Sequence, residues 1–246
     1  MQTNPEQEPL IVEKDYEYEN EQNLDSLINA KIRNGFIIKV YSILLIQLLS
    51  TSVFIFFAYY STSFYKFVYE SYLFFFLSII ILIACLVIVS CFSYILQKFP
   101  HNYIFLTIFT LTESYFIASF VCQYTGKSVL IALLLTLTTV VTLTTYACLT
   151  KTDITVYGGV FFCLLSLSFV CSIILIFVKV KIVKLIYDIF VLLLFAGYLI
   201  YDTQLIVKSD SKFQFSTDDY ILASLNLYLD IINIFIQFLG IFGEHR

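Results

Sequence analysis

Residues 72–96 read YLFFFLSIIILIACLVIVSCFSYIL, 25 positions with no charge, no glycine and no proline. A helix needs about 20 apolar residues to cross roughly 30 Å of hydrocarbon, and this stretch supplies them without interruption. Six further runs of the same kind lie at 37–60, 103–124, 128–149, 156–178, 185–207 and 220–243. Lipid offers no partner to a free peptide group, so only helices or closed barrels cross it. These runs are too long and too unbroken for barrel strands, which alternate apolar and polar residues. The expected fold is an all-α polytopic membrane protein, a seven-helix bundle.

Composition agrees. The chain has 246 residues, 60% of them hydrophobic and only 13% charged, against about 25% charged in a soluble domain. Its charges are uneven. Residues 1–30 hold eight acids against Lys14, a net −7, while the remainder is +3. Such a polar, unpatterned head reads as a disordered cytosolic tail, 1–30, ahead of a single helix-bundle domain, 31–246. It lacks the features of a cleaved signal peptide. The connections between runs are short, and Ser216, with Asp218 and Asp219 behind it, is placed to cap the last helix.

Orientation follows from lysine and arginine. With the N-terminus cytosolic, eight basic residues fall inside (Lys14, Lys31, Arg33, Lys39, Lys98, Lys151, Lys208, Lys212). Five fall outside, at Lys66, Lys127, Lys179, Lys181 and Lys184, the last three clustered against the trend.

Several function classes drop out. All six cysteines sit in apolar runs with no C-x-x-C spacing, so they read as small hydrophobes and not as metal ligands or a disulfide framework. No phosphate-binding, dinucleotide-binding or hydrolase motif is present. No basic patch suits nucleic acid. Neither an enzyme nor a bound cofactor is expected.

Four acids lie inside the apolar runs: Glu113, Asp188, Asp202 and Asp230. A mid-membrane Asp costs about 2.5–3.5 kcal/mol on insertion scales, so each is by default a candidate functional residue. Asp230 is central in the last run. Asn226, Asp230, Asn233 and Gln237, spaced 4, 3 and 4, fall on one face of it. That stripe reads either as interhelical glue or as the lining of an ion or water pathway. Asp202 lies about 7 Å inside the sixth run and reads either as an interfacial residue bonded to Thr203 or Gln204 or as a pathway residue, facing Asp230 across a short loop although the two depths differ by several ångströms. Asp188 reads as a partner of Lys184 at the membrane edge, and Glu113 as a bundle contact or a pathway residue. The threonines of the fourth run (Thr136, Thr138, Thr139, Thr142, Thr144 and Thr145) suit hydrogen bonds back to the preceding turn. Gly158, Gly159 and Gly197 suit close helix approach.

Three strings carry a resemblance. They are Arg33-Asn34-Gly35-Phe36 with Gln47-Leu48-Leu49, then Tyr201-Asp202-Thr203-Gln204, and finally Asp219-Tyr220-Ile221 running into Ala223–Phe235. Together they resemble the Bax-inhibitor motif family, in its Lifeguard and Golgi anti-apoptotic branch, over roughly 31–243. The resemblance implies a pH-sensitive calcium leak of the endoplasmic reticulum or Golgi membrane that lowers stored calcium and suppresses apoptosis. It implies a gate at the aspartates matching Asp202 and Asp230, which would also be the weak, transient calcium ligands. Glu113 matches a carboxylate common in the third span, with Asn226, Asn233 and Gln237 in support. Asp188 looks like an addition, and a basic residue that some relatives carry in the second span has no match beyond Lys98. In some members the last helix re-enters, so six spans plus a central or re-entrant helix is the implied arrangement. Implied partners are the lipid bilayer, calcium ions and membrane proteins of cell-death or calcium-release pathways. The alternative is a non-conducting scaffold.

Deleting residues 1–28 should leave membrane insertion and any leak intact, because a head without apolar periodicity contributes little to a bundle. Alkaline extraction of membranes expressing the truncated chain checks this, and loss of insertion would refute it.

Overall fold

The computed structural model describes the backbone of residues 8–178, 180–208 and 215–246. Side chains are described over the same stretches except 8–23, 25, 26 and 93. All eight acids of the head, together with Lys14, Lys179 and Lys212, therefore lie outside the described side chains. The described residues form α1 (Glu8–Tyr60), α2 (Thr62–Glu70), α3 (Tyr72–Cys91), α4 (His101–Val121), α5 (Gly126–Leu149), α6 (Gly158–Phe177), α7 (Lys181–Val207) and α8 (Tyr220–Phe242). All but α2 include a segment long and apolar enough to cross a membrane.

Local chemistry sets the breaks. Ser61 caps α2 by accepting from the Phe64 N–H at 3.3 Å, and Thr125 caps α5 by accepting from the Ser128 N–H. Pro100, which cannot continue a preceding helix, immediately precedes α4. Three boundaries differ from the sequence reading. The second run ends as an α-helix at Cys91 and tightens into a 3-10 turn over Ser93–Gln97. Ser216 is not the cap of the last helix. Asp219 holds the N-cap position, and its Oδ2 accepts the Ser216 N–H at 3.1 Å while Oδ1 accepts from Gln97 Nε2 at 2.8 Å. The acidic head continues α1 as helix from Glu8. Its described side chains from Leu24 to Ile32 are all exposed, and the first buried ones are Arg33, Phe36 and Val40. Secondary structure thus runs on through residues whose described side chains are exposed.

The least apolar helices are innermost. About 56% of the spanning residues of α4 and 61% of those of α8 are buried, against 11% for α3 and 6% for the segment containing α6. α8 packs against α7, α5, α1 and α4, whereas α6 packs chiefly on α7. α8 is central, and it is one unbroken helix and not a hairpin. Its start meets Gln97, just ahead of α4. Its end meets the α4–α5 connection, where Thr125 N–H donates to Glu244 O and Arg246 N–H to Gln123 O, both at 2.9 Å. It therefore runs the length of α4, so Arg33 and the end of α8 lie at opposite ends of the bundle.

α1 fastens both ends of that bundle. Near its start, Arg33 donates through Nη1 to Phe215 O at 3.0 Å and through Nη2 to Leu205 O and Lys208 O. Its guanidinium lies 5.0 Å from the centre of the Phe36 ring. A cation on the open carbonyls of a helix C-terminus is favoured by the helix dipole, and here one side chain joins the end of α7 to the approach to α8. Near the end of α1, the Tyr59 hydroxyl donates to Val121 O and Tyr124 O at 2.8 and 2.7 Å.

Arg33→Met keeps the aliphatic reach and removes every donor. It should lower unfolding free energy by about 2–4 kcal/mol, since buried hydrogen bonds from charged groups are worth about 1.5–3 kcal/mol. Thermal unfolding in detergent measures this; an unchanged midpoint would show that the clamp does not hold the bundle.

Candidate functional site

α7 and α8 form an antiparallel pair, and their contact brings Asp202 against Asp230. Both are 4% exposed. The Asp202 carboxyl is within hydrogen-bonding reach of Asp230 and of the Asn226 amide one turn away on α8. The depth mismatch read from the run boundaries is resolved by register. Asp202 is five residues before the end of α7, and Asp230 is ten after the start of α8. For the two to meet, α8 must begin about 7 Å farther out than α7 ends, a shift the twelve-residue connection readily spans.

The end of α7 that carries Asp202 is fixed from three sides. Arg33 holds its carbonyls. Gln204 accepts the Ile154 N–H through Oε1 at 2.8 Å and donates through Nε2 to Thr152 O at 3.0 Å. Lys208 Nζ donates to the same Thr152 oxygen at 2.9 Å. Asp153, between these partners, accepts from Thr155 Oγ1 at 2.6 Å and from its N–H at 3.1 Å. These bonds hold the Asp153 carboxyl below the usual carboxylate range. Two glycines let α6 approach this part of α7. A Cβ on Gly197 would sit 2.6 Å from the Phe161 ring, and one on Gly158 would sit 2.7 Å from the Tyr201 hydroxyl. Gly159 meets nothing within 4 Å, so it does not mark a close approach. Phe161, Tyr198 and Tyr201 form an aromatic cluster with ring centres 5.2–6.3 Å apart. Tyr198 lies close enough to both aspartates to feel their charge.

Chemically, the pair is unbalanced. Among the described residues no cation acts on either carboxylate, and Asp230 Oδ2 is buried without a protein partner. Two carboxylates in contact in a dry site do not both ionise freely, so they take up and release protons as a unit. One shared proton makes a hydrogen bond between α7 and α8. Losing it leaves like charges in contact.

The remaining candidates do not gather here. Asn226 joins the pair. Asn233 donates to Leu229 O of its own helix at 2.8 Å, and with Gln237 it lines a cavity between α6 and α7. Glu113 lies on another flank of α8, near Tyr228. Tyr228 belongs to a separate buried cluster in which Thr51 Oγ1 lies 2.7 Å from its hydroxyl and 3.0 Å from Ser114 Oγ, while Gln47 Nε2 donates to Thr110 Oγ1 at 3.2 Å. Asp188, seven residues into α7, is buried and packed on Gly240 of α8, with Lys184 one turn before it on the same helix. Of the threonines, Thr136, Thr138, Thr142 and Thr145 all bond back along α5. Sequence reasoning gave Arg33 a place only in the charge bias and Gln204 only as a possible partner of Asp202; neither was read as a contact between helices, and both lie inside the resembling strings.

The family model described as Inhibitor of apoptosis-promoting Bax1 matches residues 33–246. The chain is 32% identical to human Protein lifeguard 3 over 223 residues, 89% of this chain and 71% of that protein. It is 30% identical to mouse Protein lifeguard 3 over 246 residues, 96% and 79% of the two chains. Protein LIFEGUARD 4 of Arabidopsis thaliana is 36% identical over 232 residues, 88% and 87%. A match running from the Arg33 clamp through both aspartates, with relatives covered over most of their length, places this chain in the Bax-inhibitor family, alongside its Lifeguard members.

Proposed function

We propose that this protein is a calcium leak pathway of the endoplasmic reticulum or Golgi membrane, gated by Asp202 and Asp230, which lowers stored calcium and so suppresses apoptosis. The family's description as an inhibitor of apoptosis-promoting Bax1 supports the anti-apoptotic part. The observation that carries the gate is the carboxylate pair inside the bundle, with no cation acting on it and one buried oxygen unpartnered. The lysine and arginine bias supports a cytosolic N-terminus.

With one proton shared, the pair is a hydrogen bond that closes α7 onto α8. Without it, repulsion drives the helices apart and two negative charges face the incoming ion. Calcium takes six to eight oxygen ligands. Two aspartates, Asn226 and water give a site whose charge matches the ion but whose protein ligands are few, which suits transit and not storage. Acidification restores the shared proton, so it lowers the leak.

The rival is a scaffold acting through membrane partners. One observation favours it: Asn233 is hydrogen-bonded within its own helix, so part of the polar stripe serves the fold.

Flux into proteoliposomes containing only the full chain separates the two. Wild type should leak calcium, and the leak should fall several-fold from about pH 8 to about pH 5 as the pair takes up its proton. Asp202→Asn and Asp230→Asn each keep shape and remove charge. Either should change flux while folded protein stays within about twofold of wild type, and the double variant should lose the pH profile. Unchanged flux in both single variants would leave the scaffold. A pH profile that persists in the double variant would move the sensor to Glu113.

A further inference from the structure

We propose that the trough between α6, α7 and α8 is a binding site for one anionic phospholipid, with its phosphate on Lys181 and Lys184 and an acyl chain lying along α6. This does not rest on the leak reading.

Two adjoining cavities make the trough. One, of about 480 Å³, is lined by Leu175, Ile176, Lys181, Lys184 and Asp188 among others. The next, of about 590 Å³, runs deeper past Phe169, Val191, Asn233 and Gln237. They share Ser172 and Tyr187. The α6 residues lining them run from Leu165 to Val178, about 20 Å along a helix, which is longer than the roughly 15 Å of one leaflet's hydrocarbon.

The polar atoms of the walls are largely committed elsewhere. Ser166, Ser168 and Ser172 donate to Phe162 O, Leu165 O and Phe169 O of their own helix. The Tyr187 hydroxyl donates to Ser168 O, and Asn233 Nδ2 donates to Leu229 O. What the wall offers an occupant is mainly carbon, which suits an acyl chain better than a column of water or ions.

The mouth is different. Lys181 and Lys184 lie in the first turn of α7, on the side of the bundle where the lysine cluster runs against the charge trend. Asp188, behind Lys184, is packed on Gly240, so two ammonium groups against one carboxylate leave the mouth at +1. α7 begins without a side-chain cap, leaving its first N–H groups as further donors near a headgroup phosphate. A fatty tail in a carbon-walled groove and an anion at its basic mouth describe an anionic phospholipid; a zwitterionic lipid satisfies only the first.

Native mass spectrometry of the delipidated full-length protein, offered phosphatidylglycerol or phosphatidylcholine with identical chains, tests this. Wild type should retain one phosphatidylglycerol in clear preference. Lys181→Gln with Lys184→Gln should weaken that retention about thirtyfold, the combined effect of two lysines near an anionic surface. Lys181→Arg with Lys184→Arg should keep it, which separates lost charge from lost folding. Ser172→Phe, filling the trough, should weaken both lipids. Equal retention of the two lipids, or retention unaffected by the glutamine pair, would overturn the proposal. So would full displacement by glycerol 3-phosphate at matched concentration, which would mean that the mouth reads phosphate alone. A second copy of the chain seated in the trough, seen as a dimer that excludes lipid, would overturn it too.

Discussion

Hydrocarbon supplies no hydrogen-bond partner, so a helix carrying Asn226, Asp230, Asn233 and Gln237 along one side has to be enclosed by protein. Much of the architecture follows from enclosing α8. Four helices pack around it. The uncharged α3 and α6, whose serines bond back to their own helices, take the outer positions with 11% and 6% of their spanning segments buried. The fold is inside-out relative to a soluble protein: polarity, and not hydrophobicity, decides which helix is central.

Enclosure alone does not fix register, and a one-turn slip of α7 against α8 would part the two aspartates by about 5 Å. The register is held at the ends. Arg33 grips the carbonyls closing α7 and the backbone leading into α8. Gln204 and Lys208 tie the same turn to the connection between α5 and α6. The glycines at 158 and 197 let α6 and its aromatic ring close against this frame. A pair that shares one proton forms only where the surroundings bring the two carboxylates into register, and these contacts do so.

The polar inventory of the bundle then divides into groups with different work. Asp202, Asp230 and Asn226 face one another without a counter-ion. Gln47, Thr51, Thr110, Ser114 and Tyr228 form a hydrogen-bonded knot among α1, α4 and α8, with Glu113 beside it. The serines of α6 and the threonines of α5 bond to their own helices, the usual way for a short hydroxyl side chain to satisfy itself in lipid. Gln47 Oε1 in the second group is buried without a partner, as Asp230 Oδ2 is in the first, but only the first group sets two carboxylates against each other, and that like-charge contact is the ground for proposing the gate there.

The sequence by itself determined that the chain is a helical membrane bundle, how many apolar runs it has, and which acids are costly enough to matter. Those are one-dimensional properties: run length against bilayer thickness, and charge against hydrocarbon. The strings at Arg33, Tyr201–Gln204 and Ala223–Phe235 also carried the family. Tertiary structure alone decided that Asp202 and Asp230 meet, since linear depth put them several ångströms apart and register depends on contacts made far along the chain. It alone decided that α8 runs the whole length of the bundle, that Glu113 and Asp188 stand apart from the pair, and that Arg33 is a clamp. A helical face read from spacing says which residues point together. What they point at depends on which neighbour packs there, and that is settled by how all seven spans share the work of hiding polarity from lipid.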